Sequence, residues 1–200
     1  MKRAALGIQM HSGWGVLVSV SEEPLEILGR QRFVTADPEM RGAIQPYHFA
    51  TGLKSPDQEK HLAQCAAASS RLAAAAIAEV VKELSGRDYR VAGAAVLSAS
   101  GRPLPALAVI LAAHPLIHTA EGEFFRHAVC TACEGLRIPV TRIRERELDV
   151  WAQAAFGSAA SQVQSKIAGF GRSIGPPWTK DHKAATLAAA LVLARKQAVG

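Results

Sequence analysis

The sequence predicts an α/β architecture: a five-stranded mixed sheet, its first three strands antiparallel, flanked by helices. Three observations predict it. The chain opens on an apolar strand, a short turn holding Gln9, His11, Ser12 and Gly13, and a second apolar strand ending near Val18, which is the pattern of a hairpin. A long stretch with apolar residues at helical spacing, Ser55 to Ser85, leads into a continuous apolar run, Tyr89 to Leu97. Such a run suits a strand buried on both faces and lying parallel to its neighbour, reached by a crossover. Helical patterns then alternate with one further short strand, Ile138 to Ile143.

Two hundred residues, 49% hydrophobic and 20% charged, have the ordinary composition of a globular protein with room for a substantial core. One domain over residues 1–200 is expected. No apolar run approaches the ~18 residues of a membrane span, and Met1-Lys2-Arg3 runs straight into a strand pattern without the apolar stretch of a signal peptide. The expected location is cytoplasmic, with no membrane partner. Cys65, Cys130 and Cys133 are an odd set in a chain that needs no staple at this size, so reduced thiols are expected. Of the net charge of +6, an excess of +5 lies between Ser158 and Gly200: Lys166, Arg172, Lys180, Lys183, Arg195 and Lys196, six bases, against Asp181 alone. A local field of that sign attracts polyanions, and equally suits a solubilising surface.

Taken in order, Ser21-Glu22-Glu23-Pro24 is a turn, and Leu25 to Val34 is a third strand with Leu25, Ile27, Gly29, Gln31 and Phe33 on one side of the pleat. Thr35 to Lys54 lacks a period and holds Pro38, Gly42, Pro46 and Gly52, so it reads as a long loop, a type of segment that is often functional. Pro46-Tyr47-His48-Phe49 is its distinctive piece, either lining a pocket or plugging the core with Tyr47 and Phe49. Ser55 as N-cap, Pro56 at the first position and Gln58 closing a capping box start a helix that stops at Gly86. Its stripe runs through Leu62, Ala66, Leu72, Ala73, Ile77, Val80, Val81 and Leu84. After the fourth strand, Gly101-Arg102-Pro103-Leu104-Pro105 interrupts the pattern, and Ala106 to Ala113 is a short helix ended by Pro115. Thr119 caps the next helix, with Glu121 and Glu123 in or near its first turn. Beyond the fifth strand, Glu147 to Phe156 is helical and stops at Gly157, Ala159 to Ala168 is a short helix, and Gly169 to Trp178 is a loop. Thr179 caps the last helix, which runs to Gln197.

Two motifs carry a family resemblance. Leu6-Gly7-Ile8-Gln9-Met10-His11-Ser12-Gly13-Trp14-Gly15 resembles the strand and turn GIDPGSxxxG of Holliday-junction resolvases of RuvC type. Asp181-His182-Lys183-Ala184-Ala185-Thr186-Leu187-Ala188 resembles their final-helix motif DAADALA. With the fourth strand and the order of elements, the chain resembles the ribonuclease H-like superfamily over nearly its whole length. The resemblance implies that fold, a dimer, and phosphodiester cleavage by two divalent metals about 4 Å apart. It further implies an Asp in the first strand, a Glu ending the fourth and two Asp on the last helix. Here those places hold Gln9, the acid-free Leu97-Ser98-Ala99-Ser100, Asp181 and Ala184. A neutral amide supplies no charge, and Mg²⁺ demands hard anionic oxygens, so the active site is degenerate and no cofactor is expected.

Other residues offer chemistry of their own. His118 with Glu121, and Glu123 with His127, have helical spacings able to share a ligand; alternatively both glutamates complement the helix dipole. His127, Cys130 and Cys133 share a face, but zinc draws ligands from a second element as well, and these read as small packed thiols. His11 and His48 accompany no nucleophile motif. Gly169-Phe170-Gly171-Arg172 lacks the preceding strand of a phosphate loop. Arg142, Arg144 and Arg146 alternate with Glu145 and Glu147, a self-compensated solvated face.

Three readings stay open. In the first, a ribonuclease H-like module has lost two-metal nuclease activity and binds a partner, DNA or RNA favoured. Its contact face comprises the Gln9–Gly13 turn, the 169–178 loop and the start of the last helix, with Gln9, His11, Ser12, Arg172, Lys180 and Lys183 as binding residues. In the second, a divergent hydrolase holds Mg or Mn on Asp181, Glu121 and Glu123, with His118 or His11 as base. In the third, alanine-rich helices pack across a two-fold axis as a protein-binding homodimer.

Overall fold

The computed structural model describes residues 1–99 and 103–195. Ser100, the Gly101-Arg102 break, Lys196 and the expected end of the last helix at Gln197 lie outside the described residues. The elements, in chain order, are β1 (Lys2–His11), β2 (Trp14–Ser21), β3 (Ile27–Val34), α1 (Pro46–Ala50), α2 (Asp57–Gly86), β4 (Tyr89–Ser98), α3 (Leu107–Leu111), α4 (His114–Gly135), β5 (Val140–Arg144), α5 (Leu148–Phe156), α6 (Ala160–Ile174) and α7 (Lys180–Ala194). The sheet order is β3-β2-β1-β4-β5. β1, β2 and β3 are antiparallel neighbours, whereas β4 pairs parallel with β1 and β5 parallel with β4. Three antiparallel strands followed by two parallel ones outside the first is the ribonuclease H-like arrangement.

The two-residue period of β1 sorts its side chains between two layers. Ala4, Leu6, Ile8 and Met10 join Leu17 and Phe33 against α2 and α4, through Cys65, Ala73, Ile77, Phe125 and Val129. On the other face Ala5, Val16, Val18 and Val20 meet Ala185, Ala189 and Leu193 of α7. Ala95, Leu97 and Ile143 extend that second layer onto α5, α6 and α7. The alanine-rich stripe of α7 is therefore packed on its own sheet. Among the described residues no helix is long and apolar enough to cross a membrane.

Five boundaries differ from the sequence reading, each for a physical reason. The hairpin turn is only Ser12-Gly13; Gln9 and His11 belong to β1. The expected loop from Thr35 to Lys54 contains α1, with Pro46 at the first helical position, where a missing N–H costs nothing. Pro115 does not end α3 but stands in the first turn of α4, so Thr119 is no cap; its hydroxyl donates to the Pro115 carbonyl one turn back, 3.0 Å away. The loop expected from Gly169 is helical to Ile174. A Cβ on Gly171 would come within 2.8 Å of Trp178, so this glycine makes room for the indole rather than breaking the helix. Ser55 makes no cap; α2 begins at Asp57, and Gln58 instead donates to the carbonyls of Ala50 and Leu53. The capping of α7 by Thr179 holds, through His182.

Candidate functional site

Gln9 and His11 follow Ala5 and Gly7 along one side of β1, so they face α7. Close approach makes this possible: a Cβ on Gly7 would lie 1.8 Å from the Ala185 carbonyl oxygen. The first turn of α7 then stands over the carboxyl end of β1. His11 Nε2 donates to Asp181 Oδ2 at 2.9 Å, and its ring stacks on Trp14, with centroids 4.3 Å apart and planes 15° from parallel. The Arg32 guanidinium lies 4.1 Å from the Trp14 ring centre. Beside this pair, Gln9 Nε2 donates to Glu145 Oε2 at 3.4 Å, and Lys180 Nζ reaches Glu145 Oε1 at 2.6 Å. The hydrogen bond and charge of Glu145 raise the Lys180 pKa, although the lysine is 85% exposed. Gln9 Oε1 is buried without a hydrogen-bond partner. An open cleft of about 710 Å³ adjoins the group, lined by Ser98, Glu145, Arg146, Asp149 and Lys180 among others.

The charge pattern places Glu145 in a self-compensated face; its carboxylate instead links Gln9 to Lys180. That role was not legible in the strand pattern, because Glu145 follows the last residue of β5 in a single 3₁₀ turn that redirects it. Ser12 and Lys183 are exposed, and Arg172 is exposed in the last turn of α6 rather than in a loop. The 174–177 segment is held by Arg30, which donates to the carbonyls of Ile174, Gly175, Pro176 and Pro177.

The structure does not bring Glu121 and Glu123 to Asp181. They project from α4, which packs on the opposite face of the sheet from α7. Nor do they complement a helix start, since α4 begins at His114. Glu121 is 3% exposed, and its Oε1 accepts from the backbone N–H groups of Tyr47 and His48 at 2.9 and 3.0 Å, capping α1 from outside. The same oxygen lies 3.2 Å from His48 Nδ1. Burial raises the Glu121 pKa, opposed in part by these hydrogen bonds. Glu123 pairs with Arg126 at 3.1 Å and with Arg142. The His118 ring lies 4.8 Å from that of His48 and 4.4 Å from that of His114. Among the described residues, His48, His114 and His118 are the one group of three or more His, Cys, Asp or Glu whose ligand atoms all lie within 4.8 Å of one another. The cysteines are free and buried, and burial pushes the Cys65 thiol up to about 11 and Cys133 up to about 12, so neither ionises near neutral pH.

No protein-family model and no curated protein matches this chain. Among solved structures it is similar to Thermus thermophilus RuvC in complex with a Holliday junction substrate, at 17% identity, with 95% of this chain and 91% of that chain covered and a TM-score of 0.49. A second Thermus thermophilus RuvC structure matches at 16% identity over 94% of this chain and 91% of that chain, also with a TM-score of 0.49. An Aquifex aeolicus member of the Ppx/GppA family matches at 13% identity over 79% of this chain and 40% of that chain, with a TM-score of 0.34.

Proposed function

We propose that this chain is a ribonuclease H-like module that binds nucleic acid at the carboxyl end of β1 and does not carry out two-metal phosphodiester cleavage there. The observation that carries the reading is the Lys180 ammonium seated on Glu145 beside Gln9. At the end of the sheet where the fold's usual chemistry gathers anionic oxygens around two cations, this chain supplies its own cation. Each nearby acid has a donor: Glu145 is shared by Lys180 and Gln9, and Asp181 takes His11. β4 ends on Ser98, and neither it nor the following Ala99 adds a carboxylate. This donor set does not fit a pair of Mg²⁺ ions, which require several free anionic oxygens in near-octahedral geometry.

Phosphate fits the same surface. Lys180 and Lys183 are exposed one turn apart at the start of α7, where the positive end of the helix dipole adds to their field. The Trp14 ring with His11 and Arg32 on it offers the flat, cationic surface on which bases stack.

An end-labelled four-way DNA junction incubated with Mg²⁺ or Mn²⁺ tests the loss of cleavage. The expected result is no divalent-dependent product from the wild type. Nicking by the wild type that Asp181→Asn abolishes would overturn the reading in favour of a hydrolase.

A further inference from the structure

We propose a second site, on the α1/α4 side of the molecule: His48, His114 and His118 bind a borderline divalent transition ion of the Zn²⁺ class, with Glu121 orienting His48. This site stands apart from the nucleic-acid surface and does not depend on it.

The backbone places the three rings. His114 is the first residue of α4, and His118, four residues on, lies above it on the same exposed face. His48 comes from α1, the turn that crosses beside them, and its ring centre is 5.4 Å from His114 and 4.8 Å from His118. Ligand atoms within 4.8 Å of one another need only small side-chain rotations to surround an ion at the ~2.0–2.1 Å of a zinc–imidazole bond. Two ligands from one helical turn and a third from another element is the arrangement that His127, Cys130 and Cys133, all on α4, cannot provide.

Glu121 supplies the independent observation. It is a buried carboxylate whose second oxygen has no partner, and its one ion-pair partner among the described residues is His48. An unbalanced buried charge is costly. Its hydrogen bond to one nitrogen of His48 makes that nitrogen the donor and leaves the lone pair on the other. A carboxylate behind a ligating imidazole is the usual outer support of a histidine-bound metal, and a dication on the ring balances the buried charge. Three neutral nitrogens select zinc, copper, nickel or cobalt over magnesium and manganese. With His114 and His118 at the surface, the fourth tetrahedral position is open to water.

The test uses the full chain, stripped with a chelator and titrated with Zn²⁺, Co²⁺ and Mg²⁺ while metal binding and melting temperature are followed. Binding of about one Zn²⁺ per chain is expected, with a rise in melting temperature, an intense visible Co²⁺ spectrum typical of tetrahedral nitrogen coordination, and no response to Mg²⁺. His118→Ala, at an exposed position, is expected to lose at least about tenfold in Zn²⁺ affinity, and Glu121→Gln about 10–100-fold. His127→Ala, exposed on the same helix outside the cluster, is expected to bind as the wild type does. Absence of Zn²⁺ binding, or equal binding by wild type and His118→Ala, overturns the proposal.

Discussion

At the residue scale, contact rather than residue type decides what a position does. Gly7 is the clearest. With a Cβ position 1.8 Å from the Ala185 carbonyl oxygen, Gly7→Ala must push α7 off the sheet. The expected cost is about 3 kcal/mol or more, at the upper end for overpacking, read as a lowered urea midpoint; a variant within about 0.5 kcal/mol of the wild type would show that α7 does not sit this close. Gln9 was legible as a missing charge, because the motif around it was recognisable. Glu145 was not, since one 3₁₀ turn after β5 decides where its carboxylate points. His48 and His114 lie far apart in sequence and no spacing joins them; only the docking of α1 on α4 brings the rings together.

Among the elements, strands and the bodies of the helices were legible because their periods are unambiguous, while α1, the start of α4 and the end of α6 were lost to prolines and glycines. Pro46 and Pro115 stand in the first turns of α1 and α4, where proline starts a helix as readily as it ends one elsewhere. Gly171 sits inside α6 because Trp178 packs on it, a tertiary reason that propensity cannot contain. The cap of α7 was legible from Thr179, and its partner adds a pH dependence. His182 Nδ1 lies 3.3 Å from the Thr179 backbone nitrogen, which donates to it, and 2.8 Å from the Thr179 hydroxyl, so the ring must be neutral to serve. Burial lowers the His182 pKa, Arg30 lowers it further, and Asp181 opposes both. The folded state therefore binds this proton less readily than the unfolded chain, and the stability the cap contributes above the ordinary histidine value of about 6.5 is lost as pH falls below it. Thermal melts of His182→Gln, which keeps a capping-box acceptor without the titration, are expected to fall less steeply with acid than those of the wild type. Parallel pH curves would remove His182 from the account.

The whole molecule is a sheet with two unlike sides, α2 and α4 packed on one and α7 on the other. On the α7 side Glu145 and Asp181 each accept from donors of the chain itself, and the exposed Lys180 and Lys183 stand at the start of that helix; on the α4 side lies the histidine cluster. The central claim is that the α7 side reads phosphate, and the most direct measurement is fluorescence anisotropy of labelled four-way junction, duplex and single-stranded DNA across a range of salt concentrations. The account predicts submicromolar binding at low salt that weakens steeply as salt rises. The doubly substituted Lys180→Ala, Lys183→Ala protein should bind more weakly to every DNA, with a log–log salt slope smaller by about 2, one per phosphate contact removed. No binding at low salt, or a slope that the double substitution leaves unchanged, would contradict it.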